Sequence, residues 1–188
     1  MSNRSKAQIL ALVAVLAAAY AGRSWIEVPQ VAAQITAPAP TLTPWTAIGA
    51  SGTVDESSIQ HFAFTQASAG YNPLSTLLNF LEFRYNVTNT YDNNTALGPN
   101  VPGWTRLELG ASAPGQSVVD ATLYRVRRCN GEQQIICQVR VADALKTCRT
   151  CTFANNAINF TNDLYYVRVA VDRATVGEVP LVHTLRIF

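Results

Sequence analysis

The chain reads as an all-β protein, an antiparallel β-sandwich of jelly-roll or immunoglobulin-like type with eight or nine short strands. Three observations predict this. Short runs alternate apolar and polar residues with a period of two. Turn chemistry separates them about every ten positions. No apolar stripe of helical period is long enough to support more than a turn or two of helix, and "NPLSTLLNF" and "VADALKT" are the best candidates for those turns.

The strands follow in order. In "LNFLEFRYNV", Leu81, Phe83, Tyr85 and Val87 alternate with Glu82, Arg84 and Asn86. "LYYVRVAVDR" places Tyr165, Val167, Val169 and Val171 on one face and Tyr166, Arg168 and Ala170 on the other. "VVDATLYRVRR" and "PLVHTLRIF" behave alike, and residues 59–65, 105–109, 134–141 and 157–160 complete the set. Between them lie "GASG", "SAGYNP", "ASAPGQS", "CNGE" and "ATVGEVP", rich in the residues that turns require.

The N-terminus departs from this pattern. Arg4 and Lys6 precede an uncharged run, Ala7 to Gly22. As a helix that run would reach roughly 24 Å, short of a hydrocarbon core of about 30 Å. Ala19-Tyr20-Ala21 fits the small-x-small cleavage rule, so residues 1–21 read as a secretory signal peptide. The alternative is a short uncleaved anchor, the one route by which the chain would contact a membrane, through residues 7–22. Residues 22–44 carry four prolines and read as an extended linker, which leaves residues 45–188 for the sandwich.

Charge narrows the function. The formal net charge is +2, and removing the first segment takes Arg4 and Lys6 with it, leaving bases and acids equal. A neutral chain gives no electrostatic case for nucleic acid. Charged residues are only 14% of the chain, as suits an exported or assembled surface. Arg125 and Arg127 fall on one strand face within a local basic cluster and read as a solvated face or a carboxylate-binding patch.

The four cysteines, Cys129, Cys137, Cys148 and Cys151, are spaced C-x7-C-x10-C-x2-C. Zinc is not expected, since one close pair alone is present and neither His61 nor His183 is near in sequence. Cys-x-x-Cys redox chemistry wants a helix N-terminus, and "TCRTCTFANN" leads towards a strand. An even number of cysteines behind a secretion signal predicts two disulfides. Reach along the chain favours Cys129–Cys137 with Cys148–Cys151 if "NGEQQII" is a wide loop. A tight Asn130-Gly131 turn would instead leave Cys129 to another partner.

Asp55 and Glu56, with Asp92 and Asn94, are the acid-plus-amide loop clusters where calcium could bind, or where the same side chains simply cap turns. No other cofactor is expected. Trp45 and Trp104 follow proline-containing loops and can either stack on a ligand or plug the ends of the sandwich; Tyr71 and Tyr91 lie in turns. Both histidines sit in predicted strands without a serine elbow, and no carboxylate pair stands out, so no catalytic residue is assigned. Three Asn-x-Thr sequons are present, but Ala- and Arg-rich usage resembles that of a GC-rich bacterium, where they carry no message. Residues 52–64, "GTVDESSIQHFAF", resemble the first strands of secreted bacterial pre-peptidase-type sandwich domains; the acidic strand motif of those domains is absent, and no family is assigned.

The expected function is that of a non-enzymatic exported subunit, extracellular or periplasmic, acting through self-assembly or protein partners in the cell envelope or an extracellular assembly. The alternatives are a carbohydrate- or protein-binding module and a membrane-anchored accessory subunit.

Overall fold

A computed structural model describes residues 43–78, 80–90, 97–98 and 100–188, which lie within one compact unit, Pro40–Phe188. The expected signal peptide, nearly all of the linker, and Tyr91, Asp92 and Asn94 fall outside the described residues. Eleven strands are present among the described residues, more than the eight or nine predicted, in two antiparallel sheets. They are β1 (Trp45–Ile48), β2 (Thr53–Val54), β3 (Phe62–Phe64), β4 (Ala69–Tyr71), β5 (Leu81–Val87), β6 (Arg106–Ser112), β7 (Val118–Arg127), β8 (Gln133–Val141), β9 (Thr147–Thr152), β10 (Asp163–Asp172) and β11 (Leu181–Ile187). One sheet runs β3-β4-β11-β6-β9, with β1 also paired to β11; the other runs β2-β5-β10-β7-β8.

The additional strands are those too short to show a period: β1, β2 and β4 have two to four residues each. β9, "TCRTCT", has few apolar residues to alternate. Residues 157–160, predicted as a strand, form a turn and loop, and among the described residues neither expected helical turn forms; single 3₁₀ turns occur at Gly49–Ser51 and Glu56–Ser58.

The long strands behave as the alternation requires. Leu81, Phe83, Tyr85 and Val87 of β5 and Tyr165, Val167, Val169 and Val171 of β10 are all buried. They face Leu107, Leu109 and Ala111 of β6 and Val182, Leu185 and Ile187 of β11 in one core. Truncating a ring such as Phe83 to alanine would cost about 3–5 kcal/mol. Two tyrosine hydroxyls bridge the layers, Tyr85 Oη donating to Gly49 O (2.7 Å) and Tyr71 Oη to Val171 O (3.1 Å). Burial pushes Tyr71 up to about 12.

Two details position the outer surface. Arg173 is fully buried beneath the segment joining β4 to β5, its guanidinium 4.2 Å from the Tyr71 ring centroid. It donates to Leu77 O (2.7 Å) and Ser75 O (2.5 Å), anchoring the chain that delivers Phe80. In β8 the register shifts, with Leu123 opposite Cys137 but Tyr124 opposite Ile135. Ile136 is the extra residue of this bulge and packs against the core, so Ile135 turns outward, 54% exposed.

The disulfide expectation needs correcting. Cys137 pairs with Cys151, Cα atoms 6.1 Å apart, while Cys129 and Cys148 are free and exposed. Cys129 sits in a four-residue turn closed by Arg127 N–H donating to Glu132 O (3.0 Å), with Gly131 at φ 69°. The turn is too tight for Cys129 to reach Cys137. The sequence argument failed on the other partner. After residue 141 the chain crosses to the other sheet and β9 runs back beside β8, so Cys137 and Cys151 stand four residues on either side of that crossover, side by side.

Candidate functional site

The outer face of the five-stranded sheet carries an ordered array. Strand register places Asn86, Tyr166, Tyr124 and Ile135 in one row across β5, β10, β7 and β8. Arg84, Arg168, Thr122 and Gln138 form the next row, and Glu82, Ala170, Asp120 and Arg140 the one after. Period-two alternation dictates this on β5, β10 and β7, and the bulge at Ile136 turns Ile135 to the same face on β8.

Tyr124 and Tyr166 stack with ring centroids 5.0 Å apart and planes within 9°. Tyr166 Oη donates to Gln133 Oε1 at 2.7 Å. Burial, then the neighbouring Tyr124, holds the Tyr166 phenol above its ordinary value, and the Arg84 and Arg168 charges act against this. Arg168 Nη2 meets Glu82 Oε2 at 2.7 Å, and its guanidinium lies 5.8 Å from the Phe80 ring centroid. The bond to Glu82, then one to Tyr124, holds Arg168 firmly protonated. Arg84 Nη2 meets Glu82 Oε1 at 3.2 Å and approaches Asp55 Oδ1 at 4.0 Å. Asp120 is bound in bidentate fashion by Arg140, both distances 2.8 Å. The face thus combines three aromatic rings with planar amide, guanidinium and carboxylate groups.

The residues singled out in the sequence are placed otherwise. Trp45 (5% exposed) and Trp104 (0%) are core side chains, so neither presents a ring to a ligand. Trp104 donates Nε1–H to Thr43 O (3.1 Å) and meets Phe160 edge-on. Tyr71 is a buried residue of β4. Arg125 and Arg127 lie on the other side of β7, alternating with Tyr124. Arg125 bonds Gln134 and stands 4.0 Å from Asp163, and Arg127 meets Glu132 at 3.3 Å. With Arg128 and Cys129 they border a shallow groove of about 460 Å³. Asp55 accepts from Ser57 Oγ (2.7 Å), and this bond first, with the Arg84 charge contributing, holds its carboxyl below the usual range; Glu56 is exposed. Among the described residues no group of three or more His, Cys, Asp or Glu side chains could hold a metal ion.

His183 lies at the bulge in β11, with Nδ1 2.7 Å from Ser68 Oγ and Nε2 3.1 Å from Ser112 Oγ. Burial, then the Lys146 charge, keeps it below its ordinary value. His61, just before β3, has Nδ1 3.0 Å from Ser75 Oγ.

No protein-family model matches the chain, and no curated protein sequence matches it. Solved structures with similar architecture include the CBM36-1 domain of a multidomain xylanase from the hindgut metagenome of Trinervitermes trinervoides, at 12% identity and a TM-score of 0.46, covering 78% of this chain and 97% of that one. A xylan-binding module, CBM15, is similar at 11% identity and a TM-score of 0.44, over 77% of this chain and 95% of its own. The CBM22-1 xylan-binding domain from Paenibacillus barcinonensis matches at 12% identity and 0.40, over 79% and 94%. The likeness concerns the two-sheet architecture. Among the described residues no helix is long and apolar enough to cross a membrane.

Proposed function

We propose that this β-sandwich is a non-catalytic carbohydrate-binding module of an exported protein, and that the outer face of the five-stranded sheet is its ligand surface. The stacked Tyr124–Tyr166 pair carries the reading. Two large rings, half-buried and stacked on the outer side of central strands, present an aromatic surface of the kind that sugar rings pack against. Phe80, Asn86, Gln133 and Gln138 supply the further ring and the planar amides that such recognition uses. The Cys137–Cys151 disulfide supports export, because such bonds persist in oxidising compartments.

Affinity electrophoresis or calorimetry against a panel of soluble plant and bacterial polysaccharides tests the proposal. The intact domain should bind at least one. Tyr166→Ala should weaken binding about tenfold, the worth of one ring at roughly 1.4 kcal/mol. A domain that retains its fold and binds none of the panel would sink the reading.

A second reading, a subunit that assembles with copies of itself or with an envelope partner, is favoured by the exposed free thiols Cys129 and Cys148. Unpaired cysteines in an exported chain tend to pair between molecules. Multimers on non-reducing electrophoresis that collapse with reductant would support it; a single monomer band with two titratable thiols would count against it.

A further inference from the structure

We infer that the ligand is an acidic polysaccharide whose sugars carry carboxylates, with Arg84 and Arg168 as the carboxylate anchors. This rests on the carbohydrate-binding reading and narrows its ligand class.

The observation is a pair of guanidinium groups set side by side on the outer face, one of them largely exposed. Arg84 and Arg168 are direct cross-strand partners, so two guanidinium groups share one row of the outer face. Like charges placed directly opposite one another weaken a sheet. Glu82 is spread across both, giving Oε2 to Arg168 Nη2 at 2.7 Å and Oε1 to Arg84 Nε and Nη2 at 3.4 and 3.2 Å. Both of its oxygens are therefore used. The other acids add one long contact. Asp120 is committed to Arg140. Asp55 forms a longer ion pair with Arg84 through Oδ1 at 4.0 Å, Ser57 donating to its other oxygen. Asp172 stands at the far end of β10, in register with Val118.

Arg84 is 55% exposed and Arg168 34%, so their remaining N–H donors face solvent. Guanidinium is the group that binds a carboxylate through two parallel hydrogen bonds. Position completes the argument. The arginine row is two residues along the strands from the tyrosine row, about 7 Å. A pyranose seated against Tyr166 spans that distance with the carboxylate on its ring. A neutral sugar would gain from the rings and leave the spare guanidinium donors to water.

The test compares polygalacturonate with the same polymer after its carboxyl groups are reduced to alcohols, using wild type, Arg84→Gln and Tyr124→Ala/Tyr166→Ala. The inference expects wild type to bind the acidic polymer about tenfold more tightly than the reduced one, the difference falling as salt rises. Arg84→Gln should erase that preference, its loss of affinity falling more heavily on the acidic polymer than on the reduced one. The tyrosine variant should lose both. Equal affinity of wild type for the two polymers, or an Arg84→Gln loss of the same size on each, overturns the inference and leaves the carbohydrate reading standing. Dextran sulfate bound as tightly as polygalacturonate overturns the carboxylate assignment. No binding to any polymer by a folded wild-type domain overturns both readings. Arg84 is exposed on a central part of β5 with its stem on the surface, so circular dichroism should show the glutamine variant folded.

Discussion

The two outer faces of the sandwich differ in a way that shape alone would misjudge. The six-stranded sheet carries a groove of about 530 Å³ between Thr46, Ile48, Ser51, Glu108, Thr184 and Arg186. Its lining offers hydroxyls and short aliphatic groups and no aromatic ring. Its charges also answer one another: Arg186 is in register with Glu108, opposite signs across neighbouring strands, and its guanidinium rests 4.5 Å from the Phe188 ring centroid. The five-stranded sheet instead holds a stacked tyrosine pair beside two opposed arginines that share one glutamate. Opposite charges in register stabilise a sheet from within. Like charges in register oppose one another across the strands, and that contrast is the basis on which we propose the five-stranded face as the ligand surface.

The largest expected effect breaks this comparison directly. Replacing both Tyr124 and Tyr166 by alanine should lower polysaccharide affinity about a hundredfold, two rings at roughly tenfold each. Glu108→Gln with Arg186→Gln in the opposite groove should change it less than twofold. If the groove variant loses binding and the tyrosine variant does not, the two faces have been assigned the wrong way round.

The next effect concerns what joins the faces. Cys137 belongs to the edge of one sheet and Cys151 to the edge of the other, at a sequence separation of 14. A loop of that size corresponds to about 3 kcal/mol of stabilisation. Cys137→Ser with Cys151→Ser should lower unfolding free energy by about that amount in denaturant titration, while the affinity of the folded fraction stays unchanged. A coupled loss of affinity would show that the staple also shapes the tyrosine face, whose row ends at Ile135, two residues from Cys137.

How much of this was legible in the sequence follows from what alternation can carry. Leu81 to Val87 and Tyr165 to Val171 announced their buried faces, and by the same token named Tyr166, Arg168, Glu82 and Arg84 as outward. What alternation cannot carry is register. Nothing local in "VVDATLYRVRR" says that Tyr124 will stand against Tyr166, or that Arg168 will face Arg84. Those neighbours are fixed by how β5, β7 and β10 slide along one another, which the whole core decides. The bulge at Ile136 is hidden for the same reason, because "QQIIC" reads as a broken alternation until its partner strand is known. The tryptophans misled in the opposite sense. A ring following a proline loop looks available for a ligand, yet Trp45 and Trp104 close the core because β1 and the approach to β6 pair inward against β11. The cysteine pairing failed on a crossover between sheets that a one-sheet picture of β8 and β9 cannot contain.

The smallest effect lies at the loops where the chain passes between the two sheets, and it is a matter of pH. Glu178 bridges the β6–β7 and β10–β11 connections. Its carboxylate accepts from Ser117 Oγ (2.6 Å) and from the backbone N–H groups of Gln116, Ala174 and Thr175 at 3.2–3.3 Å. Gly115 makes room for it, at φ 64° and with a Cβ that would fall 1.7 Å from Glu178 Oε1. The Ser117 bond first, aided by those N–H groups, holds this carboxyl below its ordinary 4.5. A group whose value is depressed on folding binds its proton more weakly in the folded state. Its contribution is therefore complete above pH 4.5 and is lost as pH falls through the lower folded value. Glu178→Gln should accordingly reduce stability at neutral pH and flatten the acid limb of the stability curve below about pH 4.5, measured by thermal unfolding across pH. Because this clamp lies outside the tyrosine and arginine rows, the variant should bind polysaccharide as wild type does at neutral pH. A change in affinity there would mean that the crossovers hold the ligand face in shape, and that the two faces are less independent than their chemistry implies.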